Sequence, residues 1–146
     1  MQIGLWLDDL YIPTEKPPYI DEWKCVKTFD EFVSFINDNY EKNKKFPVLF
    51  ALSHDLCDEH CIAETKRSPV APIFYSKFKI PTGWHVVKWL IEYAKQKELP
   101  IGRVALHGDN EKGKGNMMYE LQKFKDATGD EVPVFTMNWK KKKINF

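Results

Sequence analysis

The sequence predicts an α/β fold: a five-stranded parallel sheet in the order 2-1-3-4-5, with the first crossover helix reduced to a loop and a long irregular insert after the third strand. Three observations predict it. Apolar runs at residues 3–7, 47–53 and 103–106 each stop abruptly in polar side chains, Asp8-Asp9, His54-Asp55 and His107-Gly108-Asp109-Asn110. Strands buried on both faces read as continuous apolar runs of this kind. Segments with helical apolar spacing separate the later runs, as right-handed parallel crossovers require. Residues 10–23, where the first crossover belongs, hold Pro13, Pro17 and Pro18, which a regular helix does not tolerate.

Taken in order, residues 23–27 form a short second strand. Thr28 caps a helix at 29–39, with Glu31 completing a capping box and Phe32, Val33, Phe35 and Ile36 as the buried stripe. Residues 43–46 are a basic turn. Beyond the third strand, residues 56–81 carry Cys57, His60 and Cys61, then Pro69, Pro72 and Pro81 among aromatic residues, and read as an irregular excursion over the strand ends. Thr82-Gly83 opens a helix at 84–96, and Leu99-Pro100 ends it. Residues 111–115 read as a glycine-bearing turn into a helix at 116–126, residues 132–137 as the last strand, and Lys140 to Lys143 as a solvated basic tail. The sum is a flavodoxin-like three-layer arrangement lacking one helix.

At 146 residues and 43% hydrophobic content, residues 1–146 are expected to form one domain that buries a core without disulfides. Lysine and arginine (22) nearly cancel aspartate and glutamate (21), which argues against an extended nucleic-acid surface. No apolar run reaches the roughly 18 residues a membrane span needs, and residue 3 already opens a strand; no membrane partner and a cytoplasmic location are expected. Three cysteines are an odd number for a disulfide framework and fit reduced thiols.

Ligands of open α/β sheets bind outside the carboxyl ends of the strands, which is where the polar residues accumulate. Asp8, Asp9 and Asp55 offer oxygen ligands suited to Mg²⁺ or Mn²⁺, although an aspartate there also commonly caps a loop. His54 and His107 have the chemistry of an acid–base pair, or of buried imidazoles bonded to backbone carbonyls. Asn110, Lys112, Gly113 and Lys114 put amide donors and positive charge where a phosphate docks at a helix start, or form only a turn. Cys57, His60 and Cys61 suggest zinc, but a second ligand knuckle is missing.

Leu5-Trp6-Leu7-Asp8-Asp9, Ser53-His54-Asp55-Leu56, the run from Thr82-Gly83-Trp84-His85 to Leu90, and His107-Gly108-Asp109-Asn110 with Gly113, Gly115, Asn116 and Met117 follow one another in an order that resembles the cyclic-phosphate-processing receiver-like domains, relatives of response-regulator receivers. The chain departs from that pattern at Gly108, where the family usually shows a small hydroxyl residue, and in the length of the 56–81 insert. The resemblance implies a receiver-like fold and metal-dependent phosphoesterase action on cyclic phosphates of nucleotides or RNA ends. Asp8, Asp9 and Asp55 would hold the metal, His54 and His107 would be catalytic, and Asn110, Gly113 and Lys114 would bind substrate. The last strand ends Thr136-Met137-Asn138, without the lysine that follows it in receivers, which disfavours phosphotransfer signalling. The alternatives are a non-catalytic module binding a nucleotide or partner protein through the same rim, and a zinc-stabilised interaction domain.

Overall fold

A computed structural model describes residues 1–61, 73–125 and 129–144. Five strands, β1 (Ile3–Leu7), β3 (Glu22–Val26), β4 (Leu49–Ser53), β5 (Arg103–His107) and β6 (Val134–Thr136), form one parallel sheet in the order β3-β1-β4-β5-β6. A further short strand, β2 (Tyr11–Pro13), lies outside this sheet and shifts the numbering of the later strands by one. All five residues of β4 are buried, as expected of a strand covered on both faces. The registers Leu7↔Leu52 and Ser53↔His107 bring the polar residues after β1, β4 and β5 to one edge.

Helices α1 (Phe29–Asn43), α2 (Gly83–Lys97) and α3 (Glu111–Lys123) contribute to a single core with alternate strand residues. Leu5 and Leu7, Phe50 and Leu52, and Val104 and Leu106 meet Phe32, Ile36, Val86, Leu90, Met117 and Leu121 there. Each fully buried Leu, Phe or Met side chain contributes about 1.5–3 kcal/mol relative to exposure. Every crossover that carries a helix steps the chain in the same direction across the sheet, so right-handedness puts all three helices on one face. The single step in the opposite direction, β1 to β3, carries no helix.

The opposite face is therefore closed without helices. Trp6 packs edge-on against Trp23, and Trp139 meets both rings, with Ile20 buried alongside. The Trp6 indole N–H donates to the Tyr11 carbonyl at 2.9 Å, which satisfies its polar edge. Over this layer β2 pairs antiparallel with β7 (Lys141–Lys143). The basic tail expected from the sequence is thus a strand, and the proline-bearing loop contains its partner. Lysine is a weak strand former, so no local signal marked the pairing.

Thr28 caps α1 as expected, accepting from the Glu31 N–H at 3.1 Å, while Glu31 reaches back to the Lys27 N–H. That helix runs on to Asn43 before Lys44 turns left-handed. The start of α3 differs more: residues 111–115 are its first turn, because the Asn110 side chain accepts from the Gly113 N–H at 2.8 Å and caps the helix there. It stops at Lys123, with Phe124 extended as its C-cap, short of the expected end at Asp126, which itself lies outside the described residues, as does the middle of the insert, residues 62–72.

Candidate functional site

Asp8, Asp9, Ser53, Asp55, Asn110 and Lys141 line one pocket at the carboxyl edge of the sheet. Asp8 is 5% exposed. Its Oδ1 accepts from the N–H groups of Leu10 (2.9 Å) and Tyr11 (3.3 Å), so the loop-capping role open to an aspartate here is realised by one oxygen. Oδ2 lies 3.7 Å from His107 Nδ1. Burial raises the Asp8 carboxyl above the usual range, against the pull of those two N–H groups. Asp9 is pushed up to about 6, first by burial and then by the negative charges of Asp8, Asp55 and Asp58.

Asp55 is held by a network built from three elements. Its Oδ1 lies 2.8 Å from His54 Nδ1 and accepts from Asn110 Nδ2 at 3.0 Å. The other His54 nitrogen, Nε2, lies 3.0 Å from the Tyr75 hydroxyl, which accepts from Asn116 Nδ2 at 2.9 Å. With Nδ1 donating to Asp55, Nε2 accepts from Tyr75. Burial pushes the Tyr75 phenol up to about 12, keeping it a donor. His54 is only 1% exposed and both of its nitrogens are engaged. Gly113 makes this possible, since a Cβ there would stand 2.3 Å from the His54 ring.

His107 lies beneath the pocket, stacked on Trp6 at a centroid distance of 4.2 Å. Among the described residues neither ring nitrogen has a hydrogen-bond partner. Burial, with a smaller contribution from Lys141 and a lesser one from Lys114, lowers its pKa to about 3 against the upward pull of a marginal contact with the Ala51 backbone. The contact with Asp8 is thus that of a neutral imidazole and not an ion pair, and at 3.7 Å it is also too long for a hydrogen bond.

The residues expected at the rim therefore separate. Asp8, Asp9, His54, Asp55 and Asn110 line the pocket together, His54 bonded to Asp55, whereas His107 does not line it and sits beside Asp8. Gly113 offers its N–H to Asn110 and not to the pocket. Lys114 is buried along its stem, with Nζ 2.8 Å from Glu111 Oε1, and does not line the pocket. Three residues at the site escaped sequence reasoning. Tyr75 belongs to the aperiodic insert, and Ser53 closes an apolar run. Lys141 is one of four consecutive lysines, with nothing local to single it out. The Ser53 hydroxyl stands beside Gly108, whose φ of +98° suits glycine and where a Cβ would come within 2.9 Å of Oγ.

The three carboxylates are not drawn to one ligation radius. Among the described residues the one trio of metal-capable side chains with ligand atoms within 4.8 Å of each other is Cys57, Glu59 and His60. Proximity there has another cause. His60 Nδ1 accepts from the Leu56 N–H at 2.8 Å, Nε2 meets the Ile80 carbonyl at 2.7 Å, and Glu59 accepts from the Lys79 N–H. A histidine engaged through both nitrogens pins the two ends of the insert together and has no lone pair for zinc. The Cys61 side chain lies outside the described residues. Carboxylates, by contrast, repel one another until a cation arrives, and hard oxygen donors suit Mg²⁺ or Mn²⁺. The donor set at the rim fits such an ion.

No described helix is long and apolar enough to cross a membrane. Neither a curated protein nor a solved structure matches the chain. Residues 3–123, which contain the sheet up to β5, all three helices and every rim residue except Lys141, match the family model described as the cyclic-phosphate processing receiver domain, and the chain belongs to that family.

Proposed function

We propose that this domain opens cyclic phosphodiesters of nucleotides or RNA ends by hydrolysis, using a divalent cation held by Asp8, Asp9 and Asp55. One observation carries the reading beyond the family: Asp8, Asp9 and Asp55 line one pocket at the sheet edge, where burial raises Asp8 and Asp9 above their ordinary range. An acidic pocket in that state is primed for a counter-cation. Bound there, Mg²⁺ or Mn²⁺ supplies charge neutralisation at the phosphoryl oxygens and a more acidic water.

The chain's own residues then have distinct tasks. Leu10 and Tyr11 N–H groups fix Asp8, and His54 with Asn110 fixes Asp55. Ser53 Oγ and the Asn110 amide face the same pocket as donors to phosphate oxygens. His54 and His107, expected as acid and base, act here as positioning residues. Each lies beside a carboxylate, His54 with both nitrogens engaged and His107 held neutral by burial. The alkoxide released on ring opening takes its proton from solvent at the open side of the pocket.

That His54 has both nitrogens engaged and that His107 does not line the pocket also favours a second reading, a module that binds the cyclic phosphate without cleaving it. Incubation of cyclic mononucleotides, cyclic dinucleotides and RNA 2′,3′-cyclic ends with the protein and Mn²⁺, followed by chromatography, separates the two. Hydrolysis predicts a ring-opened product from at least one member. Binding of a member that is recovered unchanged contradicts hydrolysis and supports the module.

A further inference from the structure

We infer that the β2–β7 ribbon belongs to the site and that Lys141 is its anion-binding residue, contacting a phosphoryl oxygen of the ligand; this rests on the cation-dependent phosphoester reading of the rim. Lys141 lies beyond the family-matched residues 3–123, yet it lines the pocket with Asp8, Asp9 and Asp55. Three lysines do not hold a strand by propensity, so something else places this one. Trp139, two residues earlier, packs on Trp23 at 5.4 Å and Trp6 at 6.3 Å, under the same strand that delivers Asp8. Beyond it the Thr14 N–H donates to the Lys140 carbonyl at 2.8 Å, the Lys140 N–H donates to Glu15 Oε1, and the Ile144 N–H donates to the Leu10 carbonyl at 2.7 Å.

These bonds attach the ribbon to the residues directly after Asp9 and align Pro13 with Lys141. The ammonium rests over the Tyr11 ring, 4.5 Å from its centroid, and makes no ion pair within 4 Å among the described residues. Its charge still reaches the pocket floor, acting on both Asp8 and His107. A lysine this near an acidic trio opposes cation binding, which makes it costly unless an anion completes the site. Once a divalent ion has offset the carboxylates, a compact ammonium on a flexible stem suits a phosphoryl oxygen.

The two halves of that statement have opposite signs, which provides the test. In the full chain, Mn²⁺ alone is titrated calorimetrically, then inorganic phosphate at saturating Mn²⁺, for wild type, Lys141→Met, Lys141→Arg and Lys142→Met. Lys142 points to the other ribbon face, since adjacent strand residues alternate. Lys141→Met is expected to bind Mn²⁺ about three- to tenfold more tightly and phosphate about tenfold more weakly. Lys141→Arg restores phosphate binding, and Lys142→Met changes neither. Unchanged phosphate affinity in Lys141→Met, or an equal loss in Lys142→Met, overturns the assignment. Far-UV circular dichroism establishes that the variants fold. Failure of the hydrolysis reading looks different: wild type then cleaves no cyclic phosphate while the opposed Mn²⁺ and phosphate shifts persist, and Lys141 keeps its role. If wild type cleaves and Lys141→Met cleaves and binds phosphate equally well, only the Lys141 assignment falls.

Discussion

The pocket depends at the residue scale on contacts that leave no room for an extra methyl group, and Gly113 is the plainest case. A Cβ at this position meets the His54 ring at 2.3 Å, so Gly113→Ala must displace the imidazole that holds Asp55 or shift α3. Overpacking of this kind costs about 1–3 kcal/mol. Urea unfolding of Gly113→Ala should show that loss, with weakened Mn²⁺ affinity beside it. The pH dependence of the metal-free protein draws on groups of opposite sign, Asp8 and Asp9 raised and His60, His85 and His107 lowered, with Asp9 and His107 shifted furthest. Asp9 has a pKa of about 6 against 3.8 unperturbed, so its contribution to stability is fully present below about pH 4 and is lost as pH rises to about 6. His107 falls from 6.5 to about 3, so its contribution is present above 6.5 and is lost as pH drops toward 3. His107 has the larger shift and is nearly inaccessible, while Asp9 is partly screened by solvent. Metal-free stability is therefore expected to fall by on the order of 1–2 kcal/mol from pH 7 to pH 5. Denaturant titration across that range should show a markedly smaller fall in His107→Leu, the remainder belonging to His60 and His85. Asp9→Asn should raise metal-free stability at pH 7.5 by on the order of 1 kcal/mol after discounting for screening. Asp8, Asp9, Asp55 and Asn110 were legible because each lies within three residues of the end of a buried strand. Gly113 was legible only as a glycine; its partner, the His54 ring, is remote in sequence.

The layer without helices is the feature of the elements that matters most for the site. Pro13, Pro17 and Pro18 announced that a helix was missing after β1, but not what replaced it. The replacement joins Tyr11–Pro13 to Lys141–Lys143 across more than a hundred residues, a pairing that carries no local periodicity. Trp139 holds this ribbon to Trp6 and Trp23, so Trp139→Ala should release it. A half-buried Trp gives less than the roughly 3–5 kcal/mol of a fully buried one, and a loss of about 2 kcal/mol is expected by far-UV circular dichroism in urea. Before urea is added, the helices on the other face should stay formed. The early start of α3 is another case where a long-range demand prevailed. Glycines at 113 and 115 lower helix propensity and read as a turn, whereas the Asn110 cap and the packing against His54 draw them into the helix.

For the whole molecule, the strand order and the single functional edge follow from apolar runs that end in acids, joined by crossovers of one hand. The insert was readable as irregular and aromatic, but its inner organisation was not, since His60 and Tyr75 find their partners through tertiary contact alone. Among the described residues metal-capable side chains gather at the acidic edge and in the His60 cluster, and the two differ in that His60 is engaged through both nitrogens. Whether the acidic edge holds the ion is decided by a single calorimetric titration of the full chain with Mn²⁺, repeated for Asp9→Asn, Asp55→Asn and Cys57→Ser. One Mn²⁺ per chain is expected, with proton release that diminishes as the pH rises past 6, abolished by either aspartate change and retained in Cys57→Ser. Binding that survives Asp9→Asn and Asp55→Asn but disappears in Cys57→Ser would place the ion in the insert and contradict its assignment to the acidic edge.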